Sequence, residues 1–566
     1  MNPILEVGLS LALASFFFSI GNAQTRAPDV ILTNARILTV DEADNEFSAL
    51  AINGERISAL GSSAEIQSFA DADTEVIDVG GRTIVPGLID SHIHAIRAGV
   101  DTARQVNWYD AASVEHAIQR LQEAADELSD DIWLYVVGAW NISQFADPRL
   151  PTPEEIFQAA GEHPVYIQHM REIAFINEAA MSELGIATDA DVPPSGRIER
   201  HADGTPTGRV FGDRATLEAI SAQIPKRPLT VEEEAASIKT FLDVLVRYGM
   251  TGVGDPMGGA FYPEDLRGLF HLWRQNELPI RVAYRMMSQN RGRELEDQQQ
   301  HTALLPQSLG DNMLKFNGFG EVLLWDMYDG AMSVLEFEPK PGAIARFTEM
   351  ATWMAENEYA AEMHVASDVA AREVLDVLED IDSRHSITEL RWSFVHLENG
   401  SPETLARMKE LGMGYGIQDR LYFAGEQWVR NLGAERARRA PPIRSALDAG
   451  IVVAGGTDFP LSPYNPWVSI QWFIDGKTQS GVSIRGAEEN PTRLEALRIY
   501  SFNSAWMSFD DDERGSLEVG KLADLAVLSA DYLDVPTEEI SDIESLLTMV
   551  GGRVVHSAGP FSGYAQ

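Results

Sequence analysis

Two histidines one residue apart, His92 and His94, close an apolar run that reads Thr83-Ile84-Val85-Pro86-Gly87-Leu88-Ile89-Asp90-Ser91. Such a run is the signature of a buried strand, and alternate residues of a strand point to the same side. Both imidazoles therefore converge on one point, as metal binding requires, while Ile93 turns away into packing. His364 ends the run Ala360-Ala361-Glu362-Met363, and His396 ends Arg391-Trp392-Ser393-Phe394-Val395. Asp458 follows Ile451-Val452-Val453-Ala454-Gly455-Gly456-Thr457, and Lys315 lies in Met313-Leu314-Lys315-Phe316. Four of the twelve histidines thus stand at strand ends, where scattered histidines would rarely fall. The chain has no cysteine, so a metal is held by imidazole, carboxylate or a modified side chain. This donor set suits one or two divalent ions, Zn²⁺ above all, acting on water. A lysine buried beside such an ion can lose its proton and be carboxylated, which would make Lys315 a bridging anion. The plainer alternatives are core histidines satisfied by hydrogen bonds, an aspartate that caps the next element, and a lysine that snorkels or forms a salt bridge.

The elements that must position these groups are strand-like runs alternating with amphipathic helical stretches. Besides those above, they include Val165-Tyr166-Ile167, Gly249-Met250-Thr251-Gly252-Val253-Gly254-Asp255, Ile280-Arg281-Val282-Ala283-Tyr284 and Met413-Gly414-Tyr415-Gly416-Ile417-Gln418. The alternation predicts an α/β fold, a (β/α)8 TIM-like barrel whose site lies at the C-terminal ends of its strands. No glycine-rich phosphate loop supports a doubly wound nucleotide fold. Residues 28–80 read as short strands with a hairpin at Asn53-Gly54, and the C-terminus repeats this character with a turn at Gly551-Gly552. The two ends are expected to share a small composite β-sandwich, residues 24–84 with 508–566. The catalytic barrel then spans 85–507, with an insertion at about 100–235. That insertion carries Trp108, Tyr109, Trp133, Trp140 and Phe145, which either line an aromatic pocket or pack its loops.

Length and composition are those of a globular protein with a large core: 566 residues, 45% hydrophobic and 23% charged. Forty-four Lys and Arg against 86 Asp and Glu leave a net charge of −42. That balance argues against binding nucleic acid or an anionic membrane surface. It fits solubility, in a salty habitat for instance, better than selection of cationic substrates. Residues 1–23 resemble a secretory signal: Val7 to Ile20 is nearly continuous apolar sequence, and Gly21-Asn22-Ala23 offers a cleavage site, although Glu6 stands where Lys or Arg is usual. The expectation is an exported protein, in a bacterial periplasm, with no stable membrane insertion once the signal is removed.

The motifs and their order resemble the amidohydrolase superfamily, and within it the amidohydrolase-3 or YtcJ-like group that includes N-substituted formamide deformylases. Val85-Pro86-Gly87-Leu88-Ile89-Asp90-Ser91-His92-Ile93-His94 matches the first-strand signature, and Gly515-Ser516-Leu517-Glu518-Val519-Gly520-Lys521-Leu522-Ala523-Asp524-Leu525 matches the C-terminal one. Gly138-Ala139-Trp140-Asn141, the hairpin around Gly196-Arg197-Ile198 and Asp203-Gly204-Thr205-Pro206-Thr207-Gly208, His364-Val365-Ala366-Ser367-Asp368 and Gly455-Gly456-Thr457-Asp458-Phe459-Pro460 resemble the motifs between. The resemblance implies hydrolysis of an amide-type C–N bond of a small molecule by water. His92, His94 and Asp458 would form one metal site, and His364 and His396 the other, with carboxylated Lys315 as bridge. Asp458 would be the general base and His396 would help to hold the carbonyl oxygen. Two features depart from the group. Lys315-Phe316-Asn317-Gly318-Phe319-Gly320 alters its Lys-x-x-x-Asp-Gly, and Glu172 replaces a histidine before Ala174-Phe175-Ile176-Asn177, which with Trp140 makes Glu172 a candidate substrate contact. The same ligands serve a lactonase or esterase, and a catalytically silent exported binding protein is the remaining alternative. Barrels of this kind commonly assemble as homo-oligomers, although no feature of this sequence fixes a number of copies.

Overall fold

A computed structural model describes residues 26–564 except 103, 109–110, 130, 138–139, 141, 170–171, 193–195, 226–227, 259–262 and 331–335. The expected signal segment, Tyr109 and most of Gly138-Ala139-Trp140-Asn141 lie outside the described residues. Eight short parallel strands carry the architecture: β1 (Leu88–Asp90), β2 (Met250–Asp255), β3 (Arg281–Met286), β4 (Leu314–Phe319), β5 (Glu362–His364), β6 (Ser393–Val395), β7 (Gly414–Gln418) and β8 (Val453–Gly456). They pair in sequence order within two four-stranded sheets, β1 to β4 and β5 to β8. The sheets meet at both margins. Phe319 and Ala361 form a parallel bridge between β4 and the residue before β5. Across the other margin Ser91 N donates to Gly455 O at 2.9 Å and Asp458 N to His92 O at 2.8 Å.

Every residue of β2 and β3 is buried, the polar Thr251, Asp255, Arg281 and Arg285 included, as in strands covered on both faces. Helices cover the outside, and their starts are written in the sequence. Thr230 and Glu233 form a capping box on Val231–Val246, and Ser401 caps Pro402–Glu410, which has proline in its first turn. Ser367, which stands where the group usually has glycine, caps Asp368–Asp382 and donates from Oγ to Asp329 Oδ2 at 2.8 Å.

Segments near both ends of the described residues share a sheet. Strands Leu525–Leu528, Ser545–Val550 and Arg553–Ser557 pair with Thr83–Pro86, Arg36–Leu38 and Glu46–Phe47 in one six-stranded sheet. Both predicted hairpin turns form, with Gly54, Gly551 and Gly552 at φ of 57°, 55° and 70°. A second, four-stranded sheet comes from the N-terminal segment alone. Val165–His169 does not belong to the eight central strands. It lies in a five-stranded sheet inside the insertion, paired with Leu134–Val137 and Ile173–Ile176. No helix among the described residues is long and apolar enough to cross a membrane.

Candidate metal centre

The C-terminal ends of β1, β4, β5, β6 and β8 bring His92, His94, Glu321, His364, His396 and Asp458 together. His92, His94 and Asp458 offer ligand atoms within 4.8 Å of one another, and so do His92, Glu321 and His396. Asp458 Oδ1 lies 3.5 Å from His92 Nε2 and 3.3 Å from His94 Nε2. Glu321 Oε2 accepts from His364 Nδ1 at 2.7 Å and from His396 Nε2 at 3.0 Å, and Oε1 lies 3.8 Å from His94 Nε2. His92 Nδ1 is taken by Glu362 Oε1 at 2.7 Å and His94 Nδ1 by Met257 O at 3.1 Å, which turns both Nε2 atoms inward. Glu362 is itself 3.3 Å from Arg285 Nη1.

Backbone bonds fix this geometry. Asp90 accepts from His92 N, Thr457 N and Thr457 Oγ1, stapling β1 to β8. Asp255 accepts from Ile96 N and Met257 N, both at 2.7 Å, and so holds the turns after β1 and β2. Gly456 is required by close approach: a Cβ there would lie 2.8 Å from His92 N and O. His396 and Asp458 sit in the left-handed region at φ of 68° and 55°. Such backbone costs about 1–2 kcal/mol for a residue other than glycine, and it clusters at functional sites.

The electrostatics match ligation. Burial opposes ionisation of Asp458, but His92, His94 and His396 outweigh it and hold the carboxyl well below the usual range. Glu321 is likewise held well below it, burial being overcome by His364 and His396. Burial disfavours protonated His92, yet Glu362 and Asp458 raise its proton affinity well above ordinary imidazole. Burial, with Arg420 and His364, pushes His396 down to about 3, so it is neutral. His92 Nε2, His396 Nδ1 and Asp458 Oδ1 are buried without a hydrogen-bond partner. An unsatisfied buried polar group costs about 1–3 kcal/mol, and the facing pair His92 Nε2 and Asp458 Oδ1 fits a site built for a cation. The donor set, imidazole with carboxylate, is that of Zn²⁺ and similar divalent ions.

Of the sequence-predicted ligands, His92, His94, His364, His396 and Asp458 are brought together, while Lys315 is not. It is the second residue of β4, at the opposite end of the strand, and its Nζ donates to Asp510 Oδ1 at 2.5 Å. The apolar run breaks at Asn317, but the strand continues through Gly318-Phe319 because Asn317 is buried with Nδ2 bonded to Met507 O. The true strand end is therefore occupied by Glu321, which sequence reasoning missed. Glu362, also missed, was signalled by its place two residues before His364, on the same side of β5. Trp140 lies in the core of the insertion, its ring on Trp108 at 5.0 Å and His169 at 4.9 Å and its Nε1 bonded to Gln168 O. Glu172 is exposed beside the turn from Val165–His169 to Ile173–Ile176. Neither makes a hydrogen bond, ion pair or ring contact with the cluster. Alongside it, Tyr328 packs on His364 at 4.5 Å and shares with Arg291, Trp325 and Asp329 the wall of a cavity of about 490 Å³.

A family model described as the Amidohydrolase family matches residues 75–556. N-substituted formamide deformylase of Arthrobacter pascens is 26% identical over 93% of this chain and 98% of its own length. The putative amidohydrolase YtcJ of Bacillus subtilis is 25% identical over 92% of this chain and 98% of its own. The crystal structure of an uncharacterized metal-dependent hydrolase from Pyrococcus horikoshii superposes with a TM-score of 0.66 at 21% identity, covering 90% of this chain and 99% of that one.

Proposed function

This chain belongs to the amidohydrolase family, and on that premise we propose that it hydrolyses an amide-type C–N bond of a small molecule with one or two divalent ions, Zn²⁺ foremost. The observation that carries the reading is the buried group of four histidines and two carboxylates at the strand ends, with three ligand atoms left unpartnered. His92, His94 and Asp458 would hold one ion, and His364 and His396 the other. Glu321, which lies among these histidines, would supply the further anionic ligand in place of a carboxylated Lys315. The ions supply Lewis acidity, making water more acidic and a carbonyl more electrophilic. Asp458 orients the attacking water, takes its proton and delivers it to the leaving nitrogen, which departs poorly unprotonated. His396 is neutral, as a ligating imidazole must be. The sheets β1–β4 and β5–β8 are proposed to act as one (β/α)8 barrel, with a composite domain from both chain ends and the insertion at its side. Residues 1–23 are proposed to direct export to a periplasm.

The test is turnover of a panel of N-formyl amines, N-acyl amides, esters and lactones by protein stripped with chelator and then reloaded with Zn²⁺. Amide hydrolysis is expected to vanish on stripping and return on reloading, and Asp458→Asn is expected to lower kcat about a hundredfold or more. Turnover that survives stripping, or that favours esters alone, would contradict the reading.

A further inference from the structure

Arg420 follows β7 and opens helix Arg420–Leu432, at the same end of the strands as the histidines. Its side chain is 5% exposed, and its Nη1 is buried without a hydrogen-bond partner. Arg285, Arg485 and Arg514 also keep a buried, unpartnered Nη1, but each donates through its other nitrogens: Arg285 to Met507 O, Arg485 to Trp472 O and Phe473 O, and Arg514 twice to Asp510. Arg420 draws no such bond among the described residues. The nearest carboxylate oxygen, Glu398 Oε1, is 3.7 Å away, close enough to offset charge and too far to accept a hydrogen bond. Two residues earlier, Gln418 accepts from His396 N through Oε1 at 3.1 Å, while its Nε2 is also buried and unpartnered. The neighbour of Arg420, Glu398, lies two residues after His396, and the preceding strand is bonded to His396 through Gln418, which puts the guanidinium at the end of the strands that carries the metal ligands.

An unused charged donor in a buried polar site is costly unless an acceptor arrives with the ligand. We propose that Arg420 binds a carboxylate of the substrate, so that the substrate class is a carboxylate-bearing amide. This rests on the amidohydrolase reading above. The planar fork of a guanidinium matches a planar carboxylate.

The experiment compares N-formylphenylalanine with N-formylphenethylamine, its analogue without the carboxylate, on the zinc-loaded full chain. Binding is read by calorimetry and turnover by formate release, for wild type, Arg420→Met and Arg420→Lys, with melting temperatures to confirm folding. The carboxylate probe is expected to bind about tenfold or more tightly in wild type. Arg420→Met should abolish that preference through KM, and Arg420→Lys should restore part of it. Equal binding of the two probes by wild type, or a preference that survives in Arg420→Met, overturns the proposal. An Arg420-dependent preference without formate release would uphold this site and refute amide hydrolysis. Formate release from both probes without a preference would do the reverse.

Discussion

At the scale of single residues, the centre is made by carboxylates that choose which imidazole nitrogen faces inward. Glu362 takes His92 Nδ1 at 2.7 Å and is itself backed by Arg285, leaving His92 Nε2 free to ligate. Such outer partners typically contribute 10–100-fold to metal affinity. Glu362→Gln is therefore expected to weaken zinc binding by about that range, measured by competition with a chromophoric chelator. An unchanged affinity would show that the ring needs no such support. The histidines and Asp458 were legible because each ends an apolar run. Glu321 was not, since its partners His364 and His396 lie 43 and 75 positions away and the residues before it interrupt the apolar pattern. Lys315 misled because composition marks where an apolar run stops, whereas a buried Asn317 bonded to Met507 O carries the strand three residues beyond Phe316.

At the scale of elements, the centre depends on how closely β1 and β8 approach. Asp90 ties them through Thr457, and Gly456 leaves no room for a side chain against His92. Gly456→Ala is expected to cost about 1–3 kcal/mol of stability, as overpacking does, and to lower bound metal by displacing His92 and Asp458. Urea denaturation and metal content read the two effects, and loss of neither would mean that the strands yield without disturbing the ligands. The strand order, the hairpins at Gly54 and Gly551-Gly552 and the pairing of the chain ends were legible from periodicity and turn residues. The role of Trp140 was not, because an aromatic residue in an insertion has the same sequence signature whether it lines a pocket or, as here, packs against Trp108, Phe145 and His169.

At the scale of the whole molecule, both ends of the chain are locked to the central strands. Arg281 of β3 donates to Asp524 at 2.7 and 2.9 Å with both side chains 3% exposed, and Asp524 also accepts from Gly551 N. Removing one partner of a buried pair strands the other charge, at about 3–5 kcal/mol. Asp524→Ala is expected to lower the stability of the entire chain by that amount in one unfolding transition. Separate unfolding of the terminal sheet from a stable remainder would show instead that the two parts are independent. The surplus of acidic groups, 86 against 44 basic ones, lies outside the chemistry of the centre and is consistent with a role in solubility.

The central claim is that Glu321, and not Lys315, completes a histidine–carboxylate metal centre. Its most direct test is metal content per chain by elemental mass spectrometry on wild type, Glu321→Gln and Lys315→Met. The account predicts about two equivalents in wild type and in Lys315→Met, and about one or fewer in Glu321→Gln. Loss of metal in Lys315→Met with retention in Glu321→Gln would contradict it.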